Sequence, residues 1–301
     1  MIQLFTDSAA NLTSDLIKDN NVQVISLSYM LEDDPENTLN FAGSLTDSFD
    51  PKSYYDAMRN GKKIQTSMVN TDAFATAFEK AFEKGDEILY IGLSAGVSGT
   101  LNAAVLALRE LEEKYSDRKL PNARVIDSKG AGMGEGMLVL EAAKLIKHGL
   151  DVNSVADKTE KLVDELCQCF TVEDLNHLKR TGRISGASAA VGGLLGIKPI
   201  LIGDNNGKIV MSGKVRGSKR ALDNLADTYD AYVTDKTAYI CITHADNPDG
   251  AEYLKNKLIT KGFSGDCITL AFEPAMGAHV GPDSIALFFF GKEEFRTMAS
   301  K

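Results

Sequence analysis

Residues 87–114, EILYIGLSAGVSGTLNAAVLALRELEEK, join an apolar strand pattern to an amphipathic helix pattern through a loop of glycine and serine. In the second part, apolar residues recur at the i, i+3, i+4, i+7 spacing that places them on one face of a helix. The same alternation of strand and helix runs from the strand "IQLF" to the helix predicted over 133–148, although 28–50 looks polar and irregular. Strands joined by helices predict a parallel sheet with helices on both faces.

The stretch KHGLDVNS, residues 147–154, indicates a domain boundary. Gly149 is placed to end one helix, and Asn153 or Ser154 to cap the next. We therefore predict an N-terminal three-layer α/β/α domain with a parallel sheet over 1–150. The remaining residues, 151–301, combine helices with strand pairs such as the hairpin around GDNNG, 203–207, and predict an α/β domain with a mixed sheet. A chain of 301 residues can bury two such cores.

The charge of the chain bears on which partners it can bind. A formal net charge of −9 argues against nucleic acid and anionic membranes as general partners. The N-terminus has no leader pattern, and the apolar run IALFFF, 285–290, is too short to span a bilayer. We expect a cytoplasmic protein without stable membrane insertion.

The four cysteines are expected to be reduced and buried. Cys167 and Cys169 stand two apart on a predicted strand, without the spacing of a zinc site. This pattern is typical of buried thiols in a reducing compartment, and we predict no metal site.

The serines of the loop allow three interpretations. Residues 92–96 match G-x-S-x-G, so Ser94 is a candidate hydrolase nucleophile, with His279 as base and an acid such as Asp246. In a nucleophile elbow, however, the helix starts directly after the serine, whereas here Gly96, Ser98 and Gly99 intervene. Ser98 is placed either to hold an anion at the start of the helix predicted over 98–114 or simply to cap it.

Other polar residues follow predicted strand ends. Thr6, Asp7 and Ser8 follow the first strand, Thr66 and Ser67 precede a helix, and Asp127 and Ser128 follow a further strand. Each set is explained by helix capping or turns. Because ligands of open α/β sheets bind beyond the carboxyl ends of the strands, together they favour a small anionic head group.

The histidines and basic clusters supply candidate cations. His279 lies between two glycines in PAMGAHVGPDS, which predicts a loop in a confined site, whereas His148 and His177 are predicted on helix surfaces and His244 at the start of a loop. Basic residues cluster at KRTGRISG, which holds Arg183, and at KVRGSKR, which holds Arg216. The second cluster predicts docking of an acidic partner.

These motifs together resemble the DegV family over essentially the whole chain. The resemblance is carried by TDSAANL (6–12), SAGVSGT (94–100), VIDSKGAGMGEGMLVLEAAKL, EDLNHLKRTGRISGASAAVGGLLGIKPIL, KVRG, THAD and GAHVGP, in that order. It implies a two-domain α/β fold that binds one fatty acid, such as palmitate or oleate, in a tunnel between the domains. It also implies no cofactor and no catalysis by the chain itself, because the family presents the acyl carboxylate to a separate kinase that makes an acyl phosphate for phospholipid synthesis.

The resemblance assigns roles to individual residues. It implies that Thr66, Ser98 and His279 contact the carboxylate, and that Arg216 docks the kinase. Supporting positions are Ser67, Ser94, Gly99 and Arg183. The segments SAAVGGLLGIKPIL and IALFFF are candidate tunnel linings. A DNA-binding role is disfavoured by the charge.

Two departures from the family pattern lie beside these residues. The family often has two serines where this chain has Ser94-Ala95, and Thr-Ser-Gln-Pro where it has Thr66-Ser67-Met68-Val69. The second change removes a rigid proline and a polar amide.

Overall fold

The computed structural model describes residues 1–40, 49–184 and 196–300. Its strands are β1 (Ile2–Asp7), β2 (Val22–Ile25), β3 (Ser28–Leu31), β4 (Asp34–Asn40), β5 (Ile64–Ser67), β6 (Glu87–Gly92), β7 (Ala123–Asp127), β8 (Leu166–Thr171), β9 (Ile197–Gly203), β10 (Ile209–Arg216), β11 (Ile240–His244), β12 (Cys267–Ala271) and β13 (Ile285–Phe290). Its α-helices are α1 (Ser14–Asp19), α2 (Pro51–Arg59), α3 (Thr71–Glu83), α4 (Thr100–Lys114), α5 (Met133–Lys147), α6 (Val152–Glu165), α7 (Asn176–Arg180), α8 (Ser218–Tyr232), α9 (Pro248–Thr260) and α10 (Pro274–Val280). Short 3₁₀ helices cover Ser8–Ala10 and Glu293–Ser300.

The chain divides into two compact units. The first contains Met1–Phe49 and Gln65–Val163, and the second contains Asp50–Ile64 and Asp164–Lys301. These bounds differ from the predicted ranges of 1–150 and 151–301. The helix α2 belongs to the second unit although it precedes most of the first unit in sequence, and the later break falls inside α6.

The first unit is a three-layer α/β/α arrangement. Its main sheet has the order β2-β1-β6-β7 with parallel pairs throughout. Phe5 of β1 contacts Phe78 of α3, with ring centroids 5.3 Å apart. The adjacent Thr6 donates a hydrogen bond to Glu135 of α5 at 2.7 Å. Because successive strand residues point to opposite faces, α3 and α5 cover opposite faces of the sheet, as predicted.

A smaller sheet with the order β4-β3-β5 occupies part of the region predicted to be irregular. The strands β3 and β4 form an antiparallel hairpin in which Tyr29 pairs with Leu39. The prediction for 28–50 was therefore wrong over 28–40, where the alternation of polar and apolar residues is weak. Residues 41–48 lie outside the described ranges.

The second unit is built on a mixed six-stranded sheet with the order β10-β9-β8-β13-β11-β12. Only β11 and β12 pair in parallel; the other neighbours are antiparallel. A buried core joins one face of this sheet to α8 and α9, and includes Cys169, Leu225, Leu254 and Leu287. The predicted hairpin at 203–207 is confirmed, since Gly207 adopts a φ of 68° between β9 and β10.

The four cysteines are free, and three are buried: Cys167, Cys169 and Cys241. Burial raises the pKa of the Cys169 thiol, so the thiol stays neutral and packs as a small apolar group. In the described ranges, no helix is both long and apolar enough to cross a membrane. The same ranges contain no group of three or more His, Cys, Asp or Glu residues able to hold a metal ion.

Candidate functional site

The glycine-serine loop between β6 and α4 is fixed by hydrogen bonds to neighbouring strand ends. The Leu93 amide donates to the buried Asp7 carboxylate at 3.0 Å, and the Ser94 amide donates to the Gly130 carbonyl at 3.0 Å. The Ala95 amide donates to Asp127 at 3.3 Å. The aspartates that end β1 and β7 therefore shape the loop.

Asp7 is the centre of this support. It is fully buried, and it also accepts hydrogen bonds from the Tyr90 hydroxyl at 2.8 Å and the Ala9 amide at 3.0 Å. Burial raises the pKa of this carboxyl, while its three donors oppose that rise. The "TDS" motif thus has a structural role here.

Ser94 lies inside the loop and is 1 % exposed. Its hydroxyl oxygen accepts a hydrogen bond from the Gly96 amide at 3.1 Å, and its carbonyl accepts from the amides of Val97 and Ser98. The helix α4 begins only at Thr100, six positions later. A nucleophile elbow presents an exposed serine directly before its helix, so this geometry differs from that of a hydrolase.

Ser98 stands at the start of α4, but Gly99 occupies the N-cap position and offers no side chain. The expectation that Ser98 is the N-cap was therefore wrong by one residue. Its hydroxyl oxygen accepts a hydrogen bond from the Thr100 amide at 3.2 Å and lies 2.9 Å from the Thr100 hydroxyl. If Thr100 donates in that pair, the Ser98 hydroxyl proton can be donated to an anion. The first N–H groups of α4 have no acceptor within the helix and point out of its N-terminal end.

Met68 connects the Thr66 segment to the Ser98 loop. Thr66 and Ser67 end the strand β5, and Met68, which follows them, is 51 % exposed. The Met68 sulfur lies 2.7 Å from the position that a Cβ on Gly99 would occupy. A side chain at this position would require the Met68 thioether to move, so the residue that departs from the family pattern packs against Gly99, next to Ser98.

His279 lies on the helix α10 of the second unit, which corrects its predicted loop position. Proline at the first helical position and Glu273 as the N-cap start this helix, because the Glu273 carboxylate accepts from the Ala275 amide at 2.8 Å. Burial, together with the positive charges of Arg183 and Arg180, lowers the pKa of His279 to about 3. An imidazole near two guanidinium groups lies in a positive field that favours a bound anion.

Two tyrosines of α2 fix the position of α10. The Tyr54 hydroxyl donates to the Pro274 carbonyl at 2.6 Å, and the buried Tyr55 hydroxyl donates to the Phe272 carbonyl at 3.1 Å. A Cβ on Gly277 would collide with the Tyr55 hydroxyl. No local sequence pattern indicates this role, because the partners stand more than 200 positions apart.

Asp246, the acid proposed for a hydrolase, is paired with a cation. Its carboxylate accepts from Arg59 at 2.5 Å, and Arg59 also binds Asp56 and Asp283, each at 2.8 Å. These three carboxylates raise the pKa of Arg59 above its already high value. Asp246 is therefore paired with a guanidinium group, whereas the acid of a catalytic triad binds a histidine.

The other histidines differ from one another. His148 is exposed at the end of α5, as predicted. His177 was predicted on the surface but is partly buried against Gly281, and burial lowers its pKa. His244 ends β11, and its Nδ1 accepts from the Asn247 amide at 3.1 Å.

The basic segment at 214–220 is exposed. Lys214 and Arg216 lie on one side of β10, and Lys219 and Arg220 lie in the first turn of α8. Cations in a first turn oppose the helix dipole, so helix stability does not explain them. In the described part of the chain, Arg216 has no ion-pair partner.

The two segments expected to line an apolar tunnel have different outcomes. In IALFFF, the residues Ile285, Leu287 and Phe289 belong to the core beneath α8 and α9. The alternate residues Ala286 and Phe288 are buried on the opposite face of β13. In SAAVGGLLGIKPIL, residues 188–195 lie outside the described ranges.

Comparison with known proteins shows one consistent family. The model of the DegV family of uncharacterised proteins matches residues 1–292. A DegV domain-containing protein of Clostridium perfringens is 35% identical over 289 residues, which cover 96% of this chain and 97% of the relative.

Two solved structures are similar over almost their whole length. A fatty-acid-binding DegV family protein from Thermus thermophilus is 26% identical with a TM-score of 0.83, and covers 97% of this chain and 99% of its own. DegV of Bacillus subtilis, described as a fatty acid binding protein, is 25% identical with a TM-score of 0.80 and the same coverage.

Proposed function

The chain belongs to the DegV family, and on that premise we propose that it binds a long-chain fatty acid such as palmitate or oleate. The observation that carries the proposal is the similarity of the entire chain to solved DegV proteins described as binding fatty acids. The fatty acid is a ligand in this proposal, and the chain performs no catalysis of its own.

The carboxylate is held, in this proposal, by Thr66 and Ser98 of the first unit and by His279 of the second. The Ser98 hydroxyl proton, which is available when Thr100 donates in their pair, and the start of α4 support an anion at the first pair. The charges of Arg183 and Arg180 near His279 support the same anion at the third residue. Ser67, Ser94, Gly99 and Arg183 are the proposed supporting positions.

Apolar residues must accommodate the acyl chain. Ala286 and Phe288 of β13 are suited to this role, because they face away from the core formed with α8 and α9. Phe170 pairs with Ala286 across β8 and β13 and extends the same apolar face. We propose that this face contacts the tail.

Presentation of the bound acid to a kinase completes the proposal. Arg216 projects from the end of β10 in an exposed basic segment of an otherwise acidic protein. A cationic surface of this kind orients an acidic partner. We propose that a kinase subunit docks there and phosphorylates the carboxylate, and that the acyl phosphate enters phospholipid synthesis from the cytoplasm.

Native mass spectrometry of the purified protein tests the ligand. The expected result is a bound mass in the fatty-acid range that is released on denaturation. Delipidated protein should then bind palmitate but not its methyl ester, because only the acid supplies the anion. Equal binding of acid and ester would remove the carboxylate site from the proposal.

A further inference from the structure

A cavity of about 500 Å³ lies within the second unit, beside the short helix α7. Its lining residues are Met58, Gly61, Lys62, Lys63, Asp174, Asn176, His177, Lys179 and Arg180. They come from the end of α2 and from the segment around α7, which are more than 100 positions apart in sequence. The volume falls in the range typical of small-molecule sites.

The lining carries four cations and one carboxylate, so the cavity is strongly positive. The carboxylate of Asp174 already accepts a hydrogen bond from the Asn176 amide at 2.9 Å, at the start of α7. In the described part of the chain, Lys179 and Arg180 have no ion-pair partners. Cations gathered in a concave surface favour an anion there, because their fields add at the same place.

His177 adds a neutral polar group to the same wall. Its ring packs against Gly281, where a Cβ would collide with it. Its Nδ1 is buried and has no hydrogen-bond partner among the described residues. The residue therefore contributes to the wall a polar group whose hydrogen-bonding capacity is not fully used within the described residues.

We propose that this cavity binds a phosphate group. Arg180 supplies a planar fork of N–H donors that matches phosphate oxygens, and the lysines supply compact charges. The phosphate is carried either by a small free anion or by the acyl phosphate formed on a bound lipid. Arg180 also contributes to the positive field at His279, which joins the cavity electrostatically to the proposed carboxylate site.

Phosphate binding in this cavity is separate from fatty-acid binding and is tested with its own ligands. The probes are pyrophosphate, for a free anion, and hexadecyl phosphate, for a lipid phosphate, with palmitate as the reference. Isothermal titration of the full chain compares wild type, the double variant Lys179→Gln/Arg180→Gln and the single variant Lys179→Gln. Lys208→Gln, which removes an exposed lysine from the same unit outside the cavity, is the matched control.

Two results would support phosphate binding, and they distinguish a free anion from a lipid phosphate. Pyrophosphate that binds with or without lipid, and about tenfold more weakly to the double variant, indicates a free anion. Hexadecyl phosphate that binds more tightly than palmitate, with the preference lost in the double variant, indicates a lipid phosphate. The single variant should show the same change in smaller measure and covers the case in which the double variant does not fold.

Two results overturn it. One is that neither probe binds differently to the cavity variants and to wild type. The other is that Lys208→Gln reduces binding as much as the cavity variants do, which indicates nonspecific charge attraction. Failure of the wild type to bind palmitate would contradict the proposed function and leave the phosphate result standing.

Discussion

Tyr55 and Gly277 are in contact so close that no β-carbon fits between them. Gly277 stands two positions before His279 on α10, and Tyr55 is fully buried on α2. The Tyr55 hydroxyl also donates to the carbonyl of Phe272, just before that helix. The place of the proposed ligand-binding histidine thus depends on a tyrosine from the first quarter of the sequence.

Replacing Gly277 by alanine should destabilise the second unit and weaken palmitate binding. The added methyl group collides with a buried tyrosine, and overpacking of this kind costs about 1–3 kcal/mol. Denaturant unfolding and isothermal titration measure the two effects.

Tyr55→Phe provides the control for that collision. Alone it should cost about 1–3 kcal/mol, because the Phe272 carbonyl loses its donor. In this background Gly277→Ala should cost less than it does alone, since the colliding oxygen is gone. Strictly additive costs would contradict the close contact.

Ser98→Ala and Thr66→Ala should each weaken palmitate binding. Loss of one hydrogen bond to a charged group costs about 1.5–3 kcal/mol, or roughly ten- to a hundredfold in Kd. Ser94→Ala is the matched control and should matter less, because its hydroxyl is directed to Gly96 inside the loop. If Ser94→Ala abolished an esterase activity while Ser98→Ala had no effect, the carrier function would be wrong.

The pKa of His279 should rise when a fatty acid binds. Burial and two guanidinium groups hold this pKa at about 3, and a nearby carboxylate favours the protonated imidazole. NMR titration of the imidazole with and without palmitate measures the change. An identical titration in both states would remove His279 from the carboxylate site.

Acid should destabilise the wild-type protein more than His279→Gln. The pKa of His279 is about 3 in the folded protein, below the ordinary value of 6.5. Between these values the unfolded chain binds the proton and the folded chain does not, so stability is full above pH 6.5 and falls as pH decreases. Between pH 7.5 and pH 5, wild type should lose about 1–2 kcal/mol more unfolding free energy than the variant.

Urea unfolding at several pH values makes that comparison. His148→Gln, which removes an exposed histidine from the end of α5, is the control for the loss of any imidazole. Parallel pH profiles for wild type and His279→Gln would contradict the assigned shift.

Arg216→Ala should leave palmitate binding intact and lower acyl-phosphate formation with a fatty-acid kinase. Surface cations act on encounter and orientation, and their field is screened over about 8–10 Å at physiological salt. The wild-type reaction should slow as salt rises, and the variant reaction should slow less. A variant that instead lost palmitate binding would place Arg216 at the ligand, and the docking role would be withdrawn.

Local patterns in the sequence were sufficient to predict most of the fold. The alternation around 87–114 predicted the parallel sheet, and Asn-Gly predicted the hairpin between β9 and β10. The strands β3 and β4 were missed because β3 has four residues that are only partly buried, and β4 is mostly polar with exposed side chains at its described positions. The DegV resemblance, now confirmed, came from motifs spread over the whole chain.

The contacts that position the candidate site residues could not be predicted from local patterns. Tyr55, Arg180 and Thr100 act through neighbours that the fold, and not the local sequence, brings to them. His279 was expected in a loop because glycines flank it, yet Glu273 and Pro274 start a helix five positions earlier. The roles assigned to Thr66, Ser98, His279 and Arg216 stay predictions for the experiments above.

The membership of Asp50–Ile64 in the second unit has a consequence for how the protein is made. Arg59 leaves the ribosome 187 residues before Asp246 and 224 residues before Asp283, its ion-pair partners. During synthesis, α2 therefore cannot form its native ion pairs until almost the entire chain has been made. A fragment that begins after α6 would lack this helix, so the second unit cannot be obtained intact by simple truncation and requires residues 50–64 to be supplied as well.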